Sequence, residues 1–171
     1  MSDIEEETIS KSLKKTNKNL VCEILNVSRK KINYPIDFLD YIKLKKLDCS
    51  QNQIESLDGK LPNTLLDLNC SNNKLSKLDE LPPGLRVLVC NHNQLSRLDN
   101  LPGGIYKLDC AFNELTNLDD LPNGLEYLFC NNNYIHNLNN LPRCLKFLYC
   151  HNNDKNFELK NIPEFVEKII Q

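Results

Sequence analysis

The sequence predicts a solenoid of stacked parallel β-strands, and three regularities within residues 44–154 indicate this fold class. Cysteine recurs at intervals of twenty-one and then twenty residues. Leucine or isoleucine stands five residues before each cysteine, leucine two residues before it, and asparagine three residues after it. A fixed period this short is typical of proteins whose repeating units stack on one another. The cysteines of this series are Cys49, Cys70, Cys90, Cys110, Cys130 and Cys150.

The unit from Leu85 to Gly104, LRVLVCNHNQLSRLDNLPGG, shows how one coil is built. Its apolar residues alternate around Leu88 and Cys90, which predicts a short strand that presents both side chains to one face. A single unit is too small to bury that face, so the units must stack in register. Equivalent side chains then form columns with a spacing of about 4.8 Å. We expect the asparagine column to be an internal ladder that hydrogen-bonds the backbone where the chain leaves each strand.

The second half of each unit, such as residues 78–84, carries proline where a helix would need a backbone donor. We therefore predict extended or polyproline-like segments with turns on the outer face. Glycines at the unit ends, among them Gly84, are expected to serve these turns.

The consensus L-x-x-L-x-C-x-x-N-x-L-x-x-L-x-x-L-P-x-G resembles the leucine-rich repeat, with cysteine where that family usually has leucine. The resemblance implies a curved, horseshoe-shaped solenoid with a parallel sheet on its concave face. The units are most similar to the short repeats of secreted effectors from enteric bacterial pathogens, and similar cysteine-bearing units occur in amoebae and their giant DNA viruses. The second proline of the bacterial pattern is kept, as in Pro82, whereas the first is replaced by an acidic residue or asparagine, as in Asp79.

Four segments are predicted along the chain. Residues 1–19 form a charged N-terminal segment or cap helix. Residues 20–43 form a degenerate capping repeat, in which residues 35–42 could make a helical turn after the proline. Residues 44–154 hold six repeats. The pattern is expected to dissolve at Lys155, and residues 155–171 form a C-terminal cap whose helix begins at Pro163. The apolar face of that helix would consist of Phe165, Val166, Ile169 and Ile170.

Composition narrows the range of functions. The chain has 171 residues, a formal net charge of -2 and 40% hydrophobic residues, which predicts a single soluble domain without the basic charge of a nucleic-acid binder. Residues 1–19 lack the apolar core of a secretory signal, and no apolar run approaches the ~20 residues that span a bilayer. We therefore expect a monomer without nucleic-acid or membrane contacts, intracellular and cytoplasmic in the producing or a host cell.

The cysteine column raises an alternative function in thiol chemistry or metal binding. Inward thiols behave as small hydrophobic groups with a raised pKa, and registered strands hold them farther apart than the ~3.8 Å Cβ separation of a disulfide. We therefore predict no metal, no cofactor and no catalytic residue. Cys144 differs because it lies on a turn, where we expect it to be accessible. His92 lies close to Cys90 in sequence, but strand alternation should separate the two side chains.

The outward strand positions change from polar in the first units to aromatic in the last. Tyr127, Phe129, Phe147 and Tyr149 should form one contiguous patch, and clustered exposed aromatic residues often mark a binding site. Two alternatives remain open: the C-terminal cap covers this patch, or the rings serve β-propensity alone. The predicted partner-binding residues are Val87, Val89, Lys107, Asp109, Phe112, Tyr127, Phe129, Phe147, Tyr149 and His151.

A second surface feature is an acidic column on the outer loops, formed by Asp58, Asp79, Asp99 and Asp119. Stacked like charges repel, so these residues should accept turn hydrogen bonds or bind a cation or basic partner.

Together these features favour a non-enzymatic protein–protein interaction module that binds a protein or peptide on the concave face. Burial of the aromatic patch would supply affinity, and Asp67, Lys107 and Asp109 would orient the partner. The alternatives are a thiol or metal-binding protein and a substrate-recognition adaptor for ubiquitin ligation.

Overall fold

The computed structural model describes residues 21–164 and 166–170, with no side-chain detail for residues 168–170. All the regular elements in this part of the chain are short β-strands. They are β1 (Ile24–Asn26), β2 (Lys46–Asp48), β3 (Asp67–Asn69), β4 (Val87–Val89), β5 (Lys107–Asp109), β6 (Tyr127–Phe129), β7 (Asn137–Leu138), β8 (Phe147–Tyr149), β9 (Glu158–Leu159) and β10 (Lys168–Ile170).

Eight of these strands form one parallel sheet in the order β1-β2-β3-β4-β5-β6-β8-β10. The register pairs equivalent positions of successive units, so that Leu68 lies opposite Leu88 and Leu88 opposite Leu108. Strands β7 and β9 form a second, two-stranded parallel sheet on the outer segments. The predicted solenoid of stacked parallel strands is confirmed. In the described ranges the chain has no helix long and apolar enough to cross a membrane.

The core is a set of columns that run along the stack. In β3 to β6 and in β8 the middle residue is buried and its two neighbours are partly exposed on the concave face. Leu88 and Cys90 are both fully buried, as are their equivalents Leu108 and Cys110. Strand alternation thus divides each unit between the core and the concave surface.

The asparagine column is the predicted internal ladder. The Asn113 side-chain amide donates hydrogen bonds to the carbonyl oxygens of Cys90 and Cys110, both at 3.1 Å, and its Oδ1 accepts the Leu95 amide at 3.0 Å. The degenerate first coil has Lys30 at the equivalent position. There the next ladder residue, Asn52, accepts the backbone amides of Lys30 and Ile32, each at 3.0 Å.

The residue before each ladder asparagine adopts a left-handed backbone conformation. This column has φ between 52° and 56° and comprises Gln51, Asn72, His92, Phe112, Asn132 and Asn152. The conformation points its amides at the next coil, as in the 3.0 Å bond from the His92 amide to the Ala111 carbonyl. The unit-end glycines lie in turns without positive φ, in contrast to Gly59 at +64°.

The outer halves of the units are extended and turned, as predicted. In the regular units the proline is followed by a tight turn, for example a 3.0 Å hydrogen bond from the Leu85 amide to the Pro82 carbonyl. In the degenerate repeat, the predicted helical turn at residues 35–42 is wrong. Phe38 is fully buried and its amide donates to the Lys60 carbonyl of the next coil at 2.9 Å. Within the segment the Tyr41 amide closes one tight turn on the Phe38 carbonyl at 3.0 Å, which does not continue into a helix.

The predicted C-terminal helix is also wrong, because the chain adds β10 to the sheet beside β8. Its register places Ile169 opposite Leu148. The Glu167 amide bonds the Lys146 carbonyl at 2.8 Å, just as the Lys146 amide bonds the Glu126 carbonyl in the preceding coil. A strand satisfies the open backbone groups at the edge of β8, which a helix could not do.

The repeat therefore continues past Lys155, with one additional residue. Strand β9 pairs with β7 at a spacing of twenty-one residues, since Asn137 lies opposite Glu158. The shift brings Phe157 against the core, where it is partly buried. Phe165, which the sequence predicts on the helix face, and the predicted N-terminal cap of residues 1–19 lie outside the described residues.

Candidate functional site

Strands β6 and β8 present four aromatic rings on the concave face because their leucines occupy the core. Register places Tyr127 beside Phe147 and Phe129 beside Tyr149. The first pair stacks with ring centroids 5.2 Å apart and an interplanar angle of 6°, and the second with 4.9 Å and 22°. Offset stacking of this kind stabilises aromatic pairs and holds the rings in place.

These rings line a depression of about 460 Å³ that we call the aromatic groove, formed by Tyr106, Lys107, Tyr127, Phe129, Phe147 and Tyr149. Stacking leaves the four paired rings partly buried, whereas Tyr106 is 42% exposed. Strand β10 lies in the same sheet beside β8, so the C-terminal segment continues the sheet next to the groove. Sequence reasoning missed Tyr106, because it precedes the strand by one position and was not counted among the outward columns.

Charges around the aromatic groove differ in how they are compensated. Asp109 accepts hydrogen bonds from the Asn91 side chain at 2.6 Å and from the Ala111 amide at 3.2 Å. Glu126 and Lys146 form an ion pair at 2.8 Å. Lys107 lines the groove, and its ammonium group has no hydrogen-bond or ion-pair partner among the described residues.

The other predicted binding residues do not line the aromatic groove. Val87 and Val89 line a second depression of about 270 Å³ over β1 to β4. Phe112 is 44% exposed at the turn after β5 and stacks on His92 with centroids 4.1 Å apart. His151 is partly buried, and its Nδ1 is shielded without a hydrogen-bond partner in the described part of the chain.

A third and larger depression, of about 810 Å³, lies between the turns of the last three coils. Its lining combines leucine and proline with four asparagines and the oppositely charged Arg143 and Glu164; the asparagines are Asn123, Asn139, Asn140 and Asn161. It lies on the turns and not on the sheet, and none of the predicted binding residues contributes to it.

Three solved structures show the same architecture. The chain is 33% identical to YopM from Yersinia enterocolitica, with a TM-score of 0.66 over 75% of this chain and 33% of that one. It is 29% identical to the leucine-rich repeat domain of a Shigella effector, with a TM-score of 0.69 over 84% of this chain and 63% of that one. It is 25% identical to InlJ from Listeria monocytogenes, with a TM-score of 0.63 over 85% of this chain and 36% of that one.

This chain has the leucine-rich repeat fold. The predicted resemblance to bacterial effector repeats is thereby confirmed, and the cysteine ladder of InlJ has its counterpart in the buried cysteine column. The chain spans between one third and just under two thirds of the length of these neighbours. Comparisons with protein-family models and with curated proteins find no match.

The leucine-rich repeat packing explains the chemistry of the cysteines. Burial raises the pKa of the Cys70 thiol to about 12 and that of Cys150 to about 11, and it also raises the pKa of the thiols between them. A thiol without access to its thiolate form is a poor nucleophile and metal ligand. Cys144 is exposed on its turn, as predicted. The described side chains include no group of three His, Cys, Asp or Glu residues that could hold a metal ion.

The acidic column on the outer loops is largely neutralised within the repeat array. Lys77 lies 3.0 Å from Asp58 and 3.7 Å from Asp79, and Arg97 lies 3.2 Å from both Asp79 and Asp99. Of the alternatives predicted for this column, the chain itself supplies basic partners to Asp58, Asp79 and Asp99, and Asp58 also accepts a hydrogen bond from the Asp79 amide at 3.2 Å. Such surface ion pairs contribute little to stability individually.

Proposed function

We propose that this leucine-rich repeat chain is a non-enzymatic interaction module that binds a protein or peptide through the aromatic groove. The two stacked ring pairs on the concave sheet carry this proposal. Their leucine neighbours already fill the core, so the rings are not needed to close it. Aromatic side chains that cluster in a depression are the usual source of binding energy at protein interfaces.

Binding to the groove would cost little side-chain conformational entropy. Each ring is held by its stacked neighbour and by a strand that is paired on both sides, so few rotamers are lost on binding. Val87 and Val89 would extend the apolar contact along the sheet, while Lys107 and Asp109 would orient the partner. Phe112 and His151, on the turns that follow β5 and β8, would contact its flank.

We further propose that the protein acts as a monomer in the cytoplasm of the producing or a host cell, without binding nucleic acid or membranes. Its formal net charge of -2 gives no electrostatic attraction to phosphate backbones or anionic lipid surfaces.

The double variant Phe129→Ser/Tyr149→Ser tests this proposal. Both residues lie outside the core, so circular dichroism and thermal unfolding should stay close to those of the wild type. Affinity purification from cell lysate followed by mass spectrometry should show at least a tenfold loss of the proteins that the wild type retains, because a central aromatic anchor typically contributes 2 kcal/mol or more.

Tyr134→Ser is the matched control, since Tyr134 is 59% exposed and follows the ladder asparagine on the outer part of the coil. It should retain the same proteins as the wild type. Equal retention by the double variant, the control and the wild type would overturn the assignment of function to the aromatic groove.

A further inference from the structure

Lys107 gives the aromatic groove a charge preference. It lies on β5, directly beside Tyr127 in the paired register, and it is one of the residues that line the groove. The other five side chains of the lining are uncharged aromatic rings. A partner that fills the groove therefore meets one positive charge and otherwise apolar surface.

Neighbouring carboxylates do not compensate this charge through direct contact. The Glu126 carboxylate pairs with Lys146 at 2.8 Å. One oxygen of Asp109 accepts a hydrogen bond from the Asn91 side chain, and the other accepts one from the Ala111 amide. A basic side chain in the groove would gain contact with the ring faces but would meet a like charge at the wall. An acidic side chain would form an ion pair that Lys107 lacks among the described residues.

The geometry of the sheet sets the distance between the apolar and acidic groups of such a partner. The centre of the two ring pairs lies between β6 and β8, one and a half strand spacings from β5, which is about 7 Å. In an extended peptide that crosses the strands, side chains two residues apart face the same way and are separated by about 6.8 Å. An apolar anchor and a carboxylate at this spacing can therefore occupy the rings and Lys107 together.

We infer that the aromatic groove recognises an extended peptide segment in which an aromatic or large aliphatic residue is separated by one residue from Asp or Glu. The inference rests on the proposed function of the groove and adds the chemistry of its partner. The large residue packs against the stacked rings, and the carboxylate pairs with Lys107.

Fluorescein-labelled eight-residue peptides in a glycine and serine background provide the test. Three peptides carry Trp-Ser-Glu, Trp-Ser-Gln or Trp-Ser-Lys at their centre, and fluorescence anisotropy measures their binding to the full chain. We expect the glutamate peptide to bind at least fivefold more tightly than the lysine peptide, with a difference that shrinks at 0.5 M salt because the ion pair is screened. The variant Lys107→Glu should reverse the order of the two charged peptides.

Lys43→Glu makes the same change in net charge on the turn before β2 and is the matched control, so it should keep the wild-type order. Equal binding of the three peptides, or an order that Lys107→Glu leaves unchanged, would overturn the charge preference. If the peptides bound equally and Phe129→Ser/Tyr149→Ser abolished their binding, the charge preference would be wrong but the aromatic groove would remain the binding site. Failure of every peptide to bind would overturn recognition of a short segment, whereas the retention experiment decides the proposed function separately.

Discussion

At the scale of single residues, the ladder asparagines join neighbouring coils because they combine a donor and an acceptor in one short side chain. Asn113 joins two coils, since it bonds the carbonyls of Cys90 and Cys110 and the amide of Leu95. Aspartate would lack the donors, and leucine would lack both functions. The ladder therefore satisfies backbone groups that the turn after each strand would otherwise leave buried and unbonded.

Asn113→Ala should lower the free energy of unfolding by about 2–4 kcal/mol, because the Leu95 amide and the carbonyls lose their partners in a buried setting. Urea denaturation followed by circular dichroism measures this change. Asn123→Ala, at an exposed turn position, should change stability by less than about 0.5 kcal/mol. Equal losses in the two variants would contradict the role of the ladder.

Residue identities predicted the buried columns but not every backbone conformation. Leucine, cysteine and asparagine recur at fixed positions, so their burial follows from the period alone. The sequence does not predict the column of left-handed residues, because it holds His92 and Phe112 as well as asparagines, and bulky residues seldom adopt positive φ. Likewise, the ion pairs of Lys77 and Arg97 depend on which units carry a basic residue, and no repeat consensus shows that.

At the scale of elements, the last strand shows where sequence periodicity becomes ambiguous. The apolar residues of 165–170 fit one face of a helix, and two of them, Val166 and Ile169, also fit the apolar positions of another coil. One additional residue before Glu158 interrupts the twenty-residue spacing, so the repeat pattern does not predict a further coil and the helical pattern is favoured. The open edge of β8 decided between them, because backbone groups at a sheet edge favour a further strand.

Val166→Asp should detach β10 and leave the earlier coils folded. Val166 packs against the core in the position that Leu145 holds one coil earlier, and a carboxylate there would have to be desolvated. Hydrogen exchange should quicken at least tenfold at the Glu167 amide, which bonds the Lys146 carbonyl, while the Cys90 amide keeps its protection. The conservative surface change Glu164→Asp should affect neither amide. Unchanged protection of Glu167 in Val166→Asp would contradict the assignment of a packed terminal coil.

At the scale of the whole molecule, stacking turns six separate cysteines into one array that links global stability to pH. Burial raises the pKa of Cys70 from its ordinary value of 9.0 to about 12. The folded protein thus keeps the proton that the unfolded chain loses above pH 9. This stabilisation is complete below pH 9 and disappears as the pH rises towards 12.

The free energy of unfolding should therefore fall between pH 9 and pH 12. Cys70→Ala should make the fall shallower by up to about 1.4 kcal/mol per pH unit, the value for one proton. Cys144→Ala removes an exposed thiol and should leave the slope as it is in the wild type. Urea denaturation at a series of pH values measures the three slopes, and identical slopes would refute the link between burial and pH.

The period predicted the architecture of the molecule and the position of its aromatic patch, because both follow from residues that recur in register. The shape of the aromatic groove needed the structure. Tyr106 enters from a position outside the strand, and the pairing of Glu126 with Lys146 isolates the charge of Lys107. These are relations between neighbouring coils, which a comparison of units one above another does not reveal.

The three-residue strands assign different positions to folding and to the concave surface. The middle residue of β6, Leu128, is fully buried, while Tyr127 and Phe129 on either side remain partly exposed. Exchanging the flanking pair on strands β3 to β6 or β8 would change the chemistry of the concave surface without disturbing the hydrophobic interior. The surface of such a scaffold can therefore change one coil at a time while the buried leucine and cysteine columns stay the same.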